Sequence, residues 1–229
     1  MVTTSKRHKS NSGTVEQHKL YSLRDGIAAL KATKGTKFDE SVEIAVNLGI
    51  DPRKSDQSVR GAVSLPHGTG RTRRVIAFVK DEAKQAEARE AGAVEVGADE
   101  LVTRVADGWT DFDVAVSAPD MMGKVGRLGK VLGPQGKMPT PKSGTVTPDV
   151  ADAVRAFAAG KVEFRADAGA TVHAAVGKRS FDDDKIADNV QAFLVALNGL
   201  KPSTAKGTYI KKVFLSTTMG PGVLVDASA

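Results

Sequence analysis

Hydrophobic residues change their spacing twice along this chain, and no single sheet suits both spacings. In "SVEIAVNLGI" (41–50), Val42, Ile44, Val46 and Leu48 alternate with polar or small residues, the mark of a strand with one wet face. From residue 73 the pattern becomes continuous: "RRVIAFV" (73–79) and "FDVAVSA" (112–118) are apolar runs of the kind covered on both faces. Alternation returns in "KVEFRAD" (161–167), "TVHAAVG" (171–177) and "GTYIKKVFLSTTMG" (207–220), with "GAVSLP" (61–66) a short strand before the change. The two ends therefore predict an antiparallel sheet and the middle a parallel one. The economical arrangement is an α+β discontinuous domain, 1–67 plus 160–229, with an α/β domain, 68–159, inserted into it. Pro66–Gly68 and Ala159–Lys161 supply the turn and small residues for a hinge at the crossings.

Helical patterns fill the intervals. "YSLRDGIAALKAT" (21–33) puts Leu23, Ile27 and Leu30 on one face behind a capping Ser22. "DPRKSDQSVRG" is a polar connection with one helical turn. In the middle segment "KDEAKQAEAREAGA" is closed by Gly92, "VEVG" is a short strand, "ADELVTRVADG" is a helix, and another runs from Pro148 to Gly160. The helix 182–200 opens on three aspartates that suit its positive N-terminal dipole.

Charge divides in the same way. Residues 1–80 carry a net +8, 81–160 a net −4 and 161–229 a net +2, within a total of +6. Basic ends around an acidic middle suit a polyanion bound by the terminal part, although basicity alone does not demand one. Cysteine is absent and there are four histidines, His8, His18, His67 and His173, none in a His-x-x-x-His pair. Disulfides and thiolate zinc sites are excluded, and no metal or cofactor is expected. No stretch approaches the ~18 apolar residues of a membrane helix. The opening "MVTTSKRHKSNSG" reads as a disordered basic arm, with an organelle transit peptide as the alternative.

The stretch "KVLGPQGKMP" (130–139) raises the question of a phosphate loop. A Walker-type loop needs Gly-x-x-x-x-Gly-Lys-Ser/Thr, but Met138 follows Gly136-Lys137 and Val131 stands five before Gly136. The dinucleotide fingerprint also fails, since the strand at 73–79 leads into "KDEAKQ" without glycine. What remains is a glycine-rich basic loop with Lys124, Arg127, Lys130, Lys137 and Lys142, either simply solvated or facing RNA. "STTMGPG" (216–222) reads either as a strand fading into a turn or as hydroxyls and a thioether set against ribose edges. In "TKFDES" (36–41), Lys37 can meet phosphate, while Phe38 either stacks on a base or belongs to the core. No nucleophile elbow or paired-carboxylate motif accompanies His67 or His173, so no catalytic residue is assigned. The alternatives are a nucleotide-dependent enzyme using the middle segment and a general basic chaperone of nucleic acid.

"KFDESVEIAVNLGIDPRKSDQSVRGAVSLPHGTGR", "LGKVLGPQGKMPTPKSGTVT" and "AKGTYIKKVFLSTTMGPGV" together resemble the L-one family of large-subunit ribosomal proteins in its bacterial form, over residues 20–225. The resemblance implies a discontinuous antiparallel domain with an inserted Rossmann-like domain. It implies a non-enzymatic, cytoplasmic constituent of the 50S subunit that binds large-subunit rRNA at the mobile stalk. It further implies tRNA-binding at the exit site, where deacylated tRNA is released, and repression of translation through the messenger of its own operon. Carried over by position, the RNA-binding residues are Lys37, Phe38, Ser41, Thr217, Thr218, Met219 and Gly220, with Arg165 and His173 as contributors. Gly133, Gly136 and Lys137 form a secondary RNA-binding surface, and Lys6, Arg7 and Lys9 of the arm add phosphate contacts. The family's Arg-Asn-Asp-Lys stands here as Arg165-Ala166-Asp167-Ala168, which removes an amide and a cation from one secondary contact.

Overall fold

The computed structural model describes residues 5–16 and 19–226. In chain order the elements are α1 (Lys6–Thr14), α2 (Leu23–Ala32), β1 (Ser41–Leu48), β2 (Arg60–Val63), β3 (Val75–Phe78), α3 (Glu82–Glu90), β4 (Glu95–Gly97), α4 (Asp99–Ala106), β5 (Val114–Ser117), α5 (Met122–Val125) and α6 (Gly129–Leu132). They continue with α7 (Val150–Ala158), β6 (Val162–Arg165), β7 (Thr171–Lys178), α8 (Asp183–Gly199), β8 (Ile210–Thr217) and β9 (Val223–Val225). The chain divides into two units, 1–70 with 162–229, and 71–161.

The first unit is built on an antiparallel sheet ordered β7-β1-β8-β9. The alternation in β1 sends Val42, Ile44, Val46 and Leu48 to one face, where β7 adds Val172 and Val176 and β8 adds Val213 and Leu215. Ile27 and Leu30 of α2 and Ile186, Val190, Phe193 and Leu197 of α8 complete this core. As expected, Ser22 caps α2, its hydroxyl accepting from the Asp25 N–H at 3.2 Å. A smaller sheet pairs β2 with β6 antiparallel, and Phe164 meets Phe193 edge-on at 5.1 Å.

The second unit holds three parallel strands ordered β4-β3-β5. β3 and β5 are buried at every position, as their continuous apolar runs require. Val75 and Ala77 face Ala88 of α3 and Val154 and Phe157 of α7. Ile76 and Phe78 face the other way, toward Leu101 and Val105 of α4 and toward Met121, Val125, Leu128 and Leu132.

Three local expectations are corrected. The arm is helical from Lys6 to Thr14, because Asn11 and Val15 are buried against the first unit. The stretch from 122 to 132 is a run of helical turns, α5 and α6 joined by a 3-10 turn, and not an open loop. Met121, Val125, Leu128 and Leu132 are spaced 4, 3 and 4, a helical period whose burial outweighs the low propensity of the intervening glycines. Strand β8 ends at Thr217, and the chain turns to form β9, which pairs back on it.

Candidate nucleic-acid interface

Register brings three chain segments to one end of the large sheet. Ser41, the first residue of β1, lies opposite Lys178, the last of β7, and Val42 lies opposite Thr217, the last of β8. The loop before β1 and the turn after β8 therefore meet. Lys37, Phe38 and Ser41 come together with Thr217, Thr218, Met219 and Gly220. Phe38 is 55% exposed and Met219 is 50% exposed, and Lys37 is also open to solvent. The alternative of Phe38 as a core residue is thus excluded.

Beneath them lies a residue that the motifs did not single out. Glu40 is only 2% exposed. Its Oε1 accepts the Thr36 N–H at 2.8 Å, its Oε2 accepts the Met219 N–H at 3.2 Å, and Arg179 Nη1 stands 3.6 Å from Oε1. Burial pushes this carboxyl up, but the Thr217 hydroxyl and the N–H groups of Met219 and Thr36 hold the charged form, leaving its pKa below the usual 4.5. Glu40 thus ties together the loop, the strand end and β7. A sequence signal existed: Glu40 is in phase with Val42, Ile44 and Val46, so the period of two already directs it inward.

Thr217 shares that inward phase and is 3% exposed, and its hydroxyl helps hold the Glu40 carboxylate in its charged form. It braces the site from below and presents nothing to a ligand, which corrects its expected role as a direct contact. Gly220 is required by closeness: a Cβ there would lie 2.3 Å from Thr217 Oγ1. Thr218 and Ser41 exchange bonds. The Ser41 N–H donates to Thr218 Oγ1 at 3.0 Å, and the Thr218 N–H donates to the Ser41 carbonyl at 3.1 Å. Lys178 Nζ donates to Ser41 Oγ at 3.0 Å, and the Ser180 hydroxyl donates to Asp39 at 2.7 Å. A hydrogen-bonded frame therefore carries the exposed Lys37 cation, Phe38 ring and Met219 thioether, with Thr218 and the Asp39 carboxylate also exposed beside them.

The other expected residues lie elsewhere. His173 is exposed on β7 opposite Ala45, four residues along β1 from Ser41, or about 13 Å. Its Nε2 stands 3.7 Å from Asp167, whose carboxylate accepts the N–H groups of Gly169 and Thr171 at 2.8 Å each. The Thr171 N–H, the Gly169 N–H and His173 together hold the Asp167 carboxyl below its ordinary value. Arg165 is exposed on β6 opposite Arg60.

In the second unit Gly133 and Gly136 close the end of α6. The Gly136 N–H donates to the Gly133 carbonyl at 3.1 Å, and Gly136 adopts φ +69°, a conformation open to glycine. Lys137 is half-buried, its Nζ donating to the Thr110 carbonyl at 2.9 Å and lying 5.0 Å over the Phe112 ring. The picture of Lys137 as a freely outward cation is corrected accordingly. Among the described residues no group of His, Asp or Glu is arranged to hold a metal ion, and no helix is long and apolar enough to cross a membrane.

A sequence model of the ribosomal protein L1p/L10e family matches residues 30–221, which include all of the frame around Glu40. The chain is 51% identical over 229 residues to the large ribosomal subunit protein uL1 of Flavobacterium johnsoniae, covering 100% of both. It is 52% identical to the protein of that name from Beutenbergia cavernae, over 100% of this chain and 95% of the relative. Against that of a Nocardioides species it is 53% identical, over 97% and 92% respectively.

Proposed function

Because the chain belongs to the ribosomal protein L1p/L10e family, we propose that it is a non-enzymatic constituent of the large ribosomal subunit in the cytoplasm, bound to the rRNA of the mobile stalk through the end of the large sheet framed by Glu40. The observation that carries this reading is the pairing of exposed Phe38 and Met219 on a buried, hydrogen-bonded support. A preorganised platform loses little entropy on binding, so its few exposed groups can select one RNA shape. Lys37 meets a phosphate. Phe38 stacks on a base or ribose, and Met219 packs on sugar edges. His173, farther along the large sheet, and Arg165, on β6 of the smaller sheet, reach a neighbouring RNA segment. The second unit is an inserted Rossmann-like domain in this reading, supported by its parallel order β4-β3-β5. It adds a smaller surface at the Gly133–Gly136 turn, with Lys137 supporting that turn from within.

The same surface serves repression. A messenger that folds like the stalk competes for one site, so rRNA and the protein's own operon messenger exclude each other. At the exit site the stalk-bound protein contacts deacylated tRNA and assists its release. The test is binding of stalk rRNA and a length-matched scrambled RNA across a salt series. Preference for the stalk RNA that survives high salt is expected. Phe38→Ala and Met219→Ala are expected to weaken it by about 1–3 kcal/mol each without changing the salt slope. Equal affinities that collapse together would leave only a basic protein attracted to phosphate, and equal binding by wild type and the Met219 variant would remove the platform assignment.

A further inference from the structure

Helix α1 should not be stable by its own chemistry. It is nine residues, shorter than the ~12–15 at which isolated helices become even marginal. Its sequence, KRHKSNSGT, has no apolar residue and no carboxylate, and its second half consists of poor helix formers. Lys6, Arg7 and Lys9 crowd its first turns, where the helix dipole is positive and cations are unfavourable. No ion pair relieves any of the three among the described residues.

Two contacts hold the helix nonetheless. Asn11 is 2% exposed, its Nδ2 donating to the Lys34 carbonyl and its Oδ1 accepting the Lys34 N–H, both at 2.9 Å. Val15, one turn on, is 6% exposed and belongs to the core of the first unit. Asn11 is the buried residue of α1 and Val15 is the extended residue that ends it, while Arg7 is partly exposed and Lys6 and Lys9 are exposed. Lys34 stands three residues before Lys37, no more than about 11 Å of chain. The Asn11 lock therefore seizes the root of the loop that carries Lys37 and Phe38.

We propose that α1 is a docked cationic flank of the RNA interface, and that Asn11 is the positioning residue that sets its basic first turns beside that loop. The inference rests on reading the loop as RNA-facing. The mismatch between three cations and a positive helix end is then the free-state counterpart of a bound state in which phosphates cover them. Ser5 already caps the helix start, its hydroxyl accepting the His8 N–H, so the cationic side chains are the groups that would face the sugar–phosphate backbone. The lock leaves the cations nothing to search for, so their contribution comes without the ordering cost of a free arm.

The experiment compares the full chain with Lys6→Gln/Arg7→Gln/Lys9→Gln, with Asn11→Ala, and with both sets combined, binding stalk rRNA across a salt series. The triple variant is expected to flatten the slope of log K against log salt by about two to three units. Asn11→Ala is expected to flatten it by at least one unit and to weaken binding several-fold at physiological salt, yet to add nothing in the triple background. A merely structural Asn11 would lower the melting temperature, leave the slope alone and act equally in both backgrounds, which would overturn its positioning role. A triple variant that binds like wild type would overturn the flank itself; Lys6 and Lys9 are exposed and Arg7 is partly exposed, so that variant is expected to fold, and its melting temperature checks this. Phe38→Ala separates the two readings. If it weakens binding while the triple variant does not, the interface stands and only the flank falls; if the chain does not prefer stalk over scrambled RNA, the interface falls with it.

Discussion

Glu40→Gln tests the frame beneath the interface most directly. The side chain keeps its shape but offers one acceptor oxygen and one amide donor where two acceptor oxygens stood. Three donors point at it: the Thr36 N–H, the Met219 N–H and the Thr217 hydroxyl. At least one backbone N–H must then face another donor inside the protein, at a cost of about 1–3 kcal/mol, and the remaining bonds lose their charge assistance. The Arg179 guanidinium, 3.6 Å away, also loses its counter-charge. A total of about 2–4 kcal/mol follows, on the order of 5–10 °C in the melting temperature of the first unit. The assays are hydrogen exchange at the Thr36 and Met219 amides and a thermal melt by circular dichroism. Trp109, the single tryptophan, lies in the second unit, so its fluorescence transition should not move. The pH dependence has a fixed sign. The folded pKa lies below 4.5, so the stabilisation from Glu40 is complete above about 4.5 and fades as pH falls through the lower folded value. The gap between wild type and Glu40→Gln should therefore close only in acid. Unchanged amide protection at Met219, or a gap that does not narrow as the pH falls below about 4.5, would refute the assignment of Glu40 as the hub.

Two further predictions bear on residues whose roles the structure revised. Thr217→Val keeps the shape and removes the hydroxyl, and is expected to cost about 1–2 kcal/mol in urea unfolding while leaving the salt slope of RNA binding intact, with Thr217→Ser restoring stability in part. A full loss of RNA affinity without loss of stability would instead make Thr217 a direct contact. Lys137→Met is expected to lower the Trp109 fluorescence midpoint, since it removes the bond to the Thr110 carbonyl and the contact with Phe112, by about 1 kcal/mol. It should alter the salt slope by less than one unit; a full unit would show a phosphate bound by that ammonium.

How far these features can be read in the sequence depends on the range of the interactions behind them. The period of two in β1, the continuous apolar runs of β3 and β5, the Ser22 cap and the aspartates opening α8 all depend on neighbours within a few residues, and all are visible in the string. The family motifs likewise point to the loop at 36–41 and the turn at 217–220. The helical turns from 122 to 132 were legible in principle, since Met121, Val125, Leu128 and Leu132 keep a helical period, but interleaved glycines imitate a loop.

What the sequence by itself determined is the kind of element at each place and the two spacings that separate the terminal and middle segments. Only the tertiary structure decided which side chains of the motifs face outward. The period of two points Glu40 inward, but what its carboxylate binds is decided only when β1 pairs with β8 and delivers the Met219 N–H from 179 residues away. Thr217 reads as one of three exchangeable hydroxyls until that pairing turns it inward. Asn11 makes α1 a helix only because the Lys34 backbone, 23 residues on, is there to bind it. A buried polar group takes its meaning from its partners, and partners distant in the chain leave no local pattern.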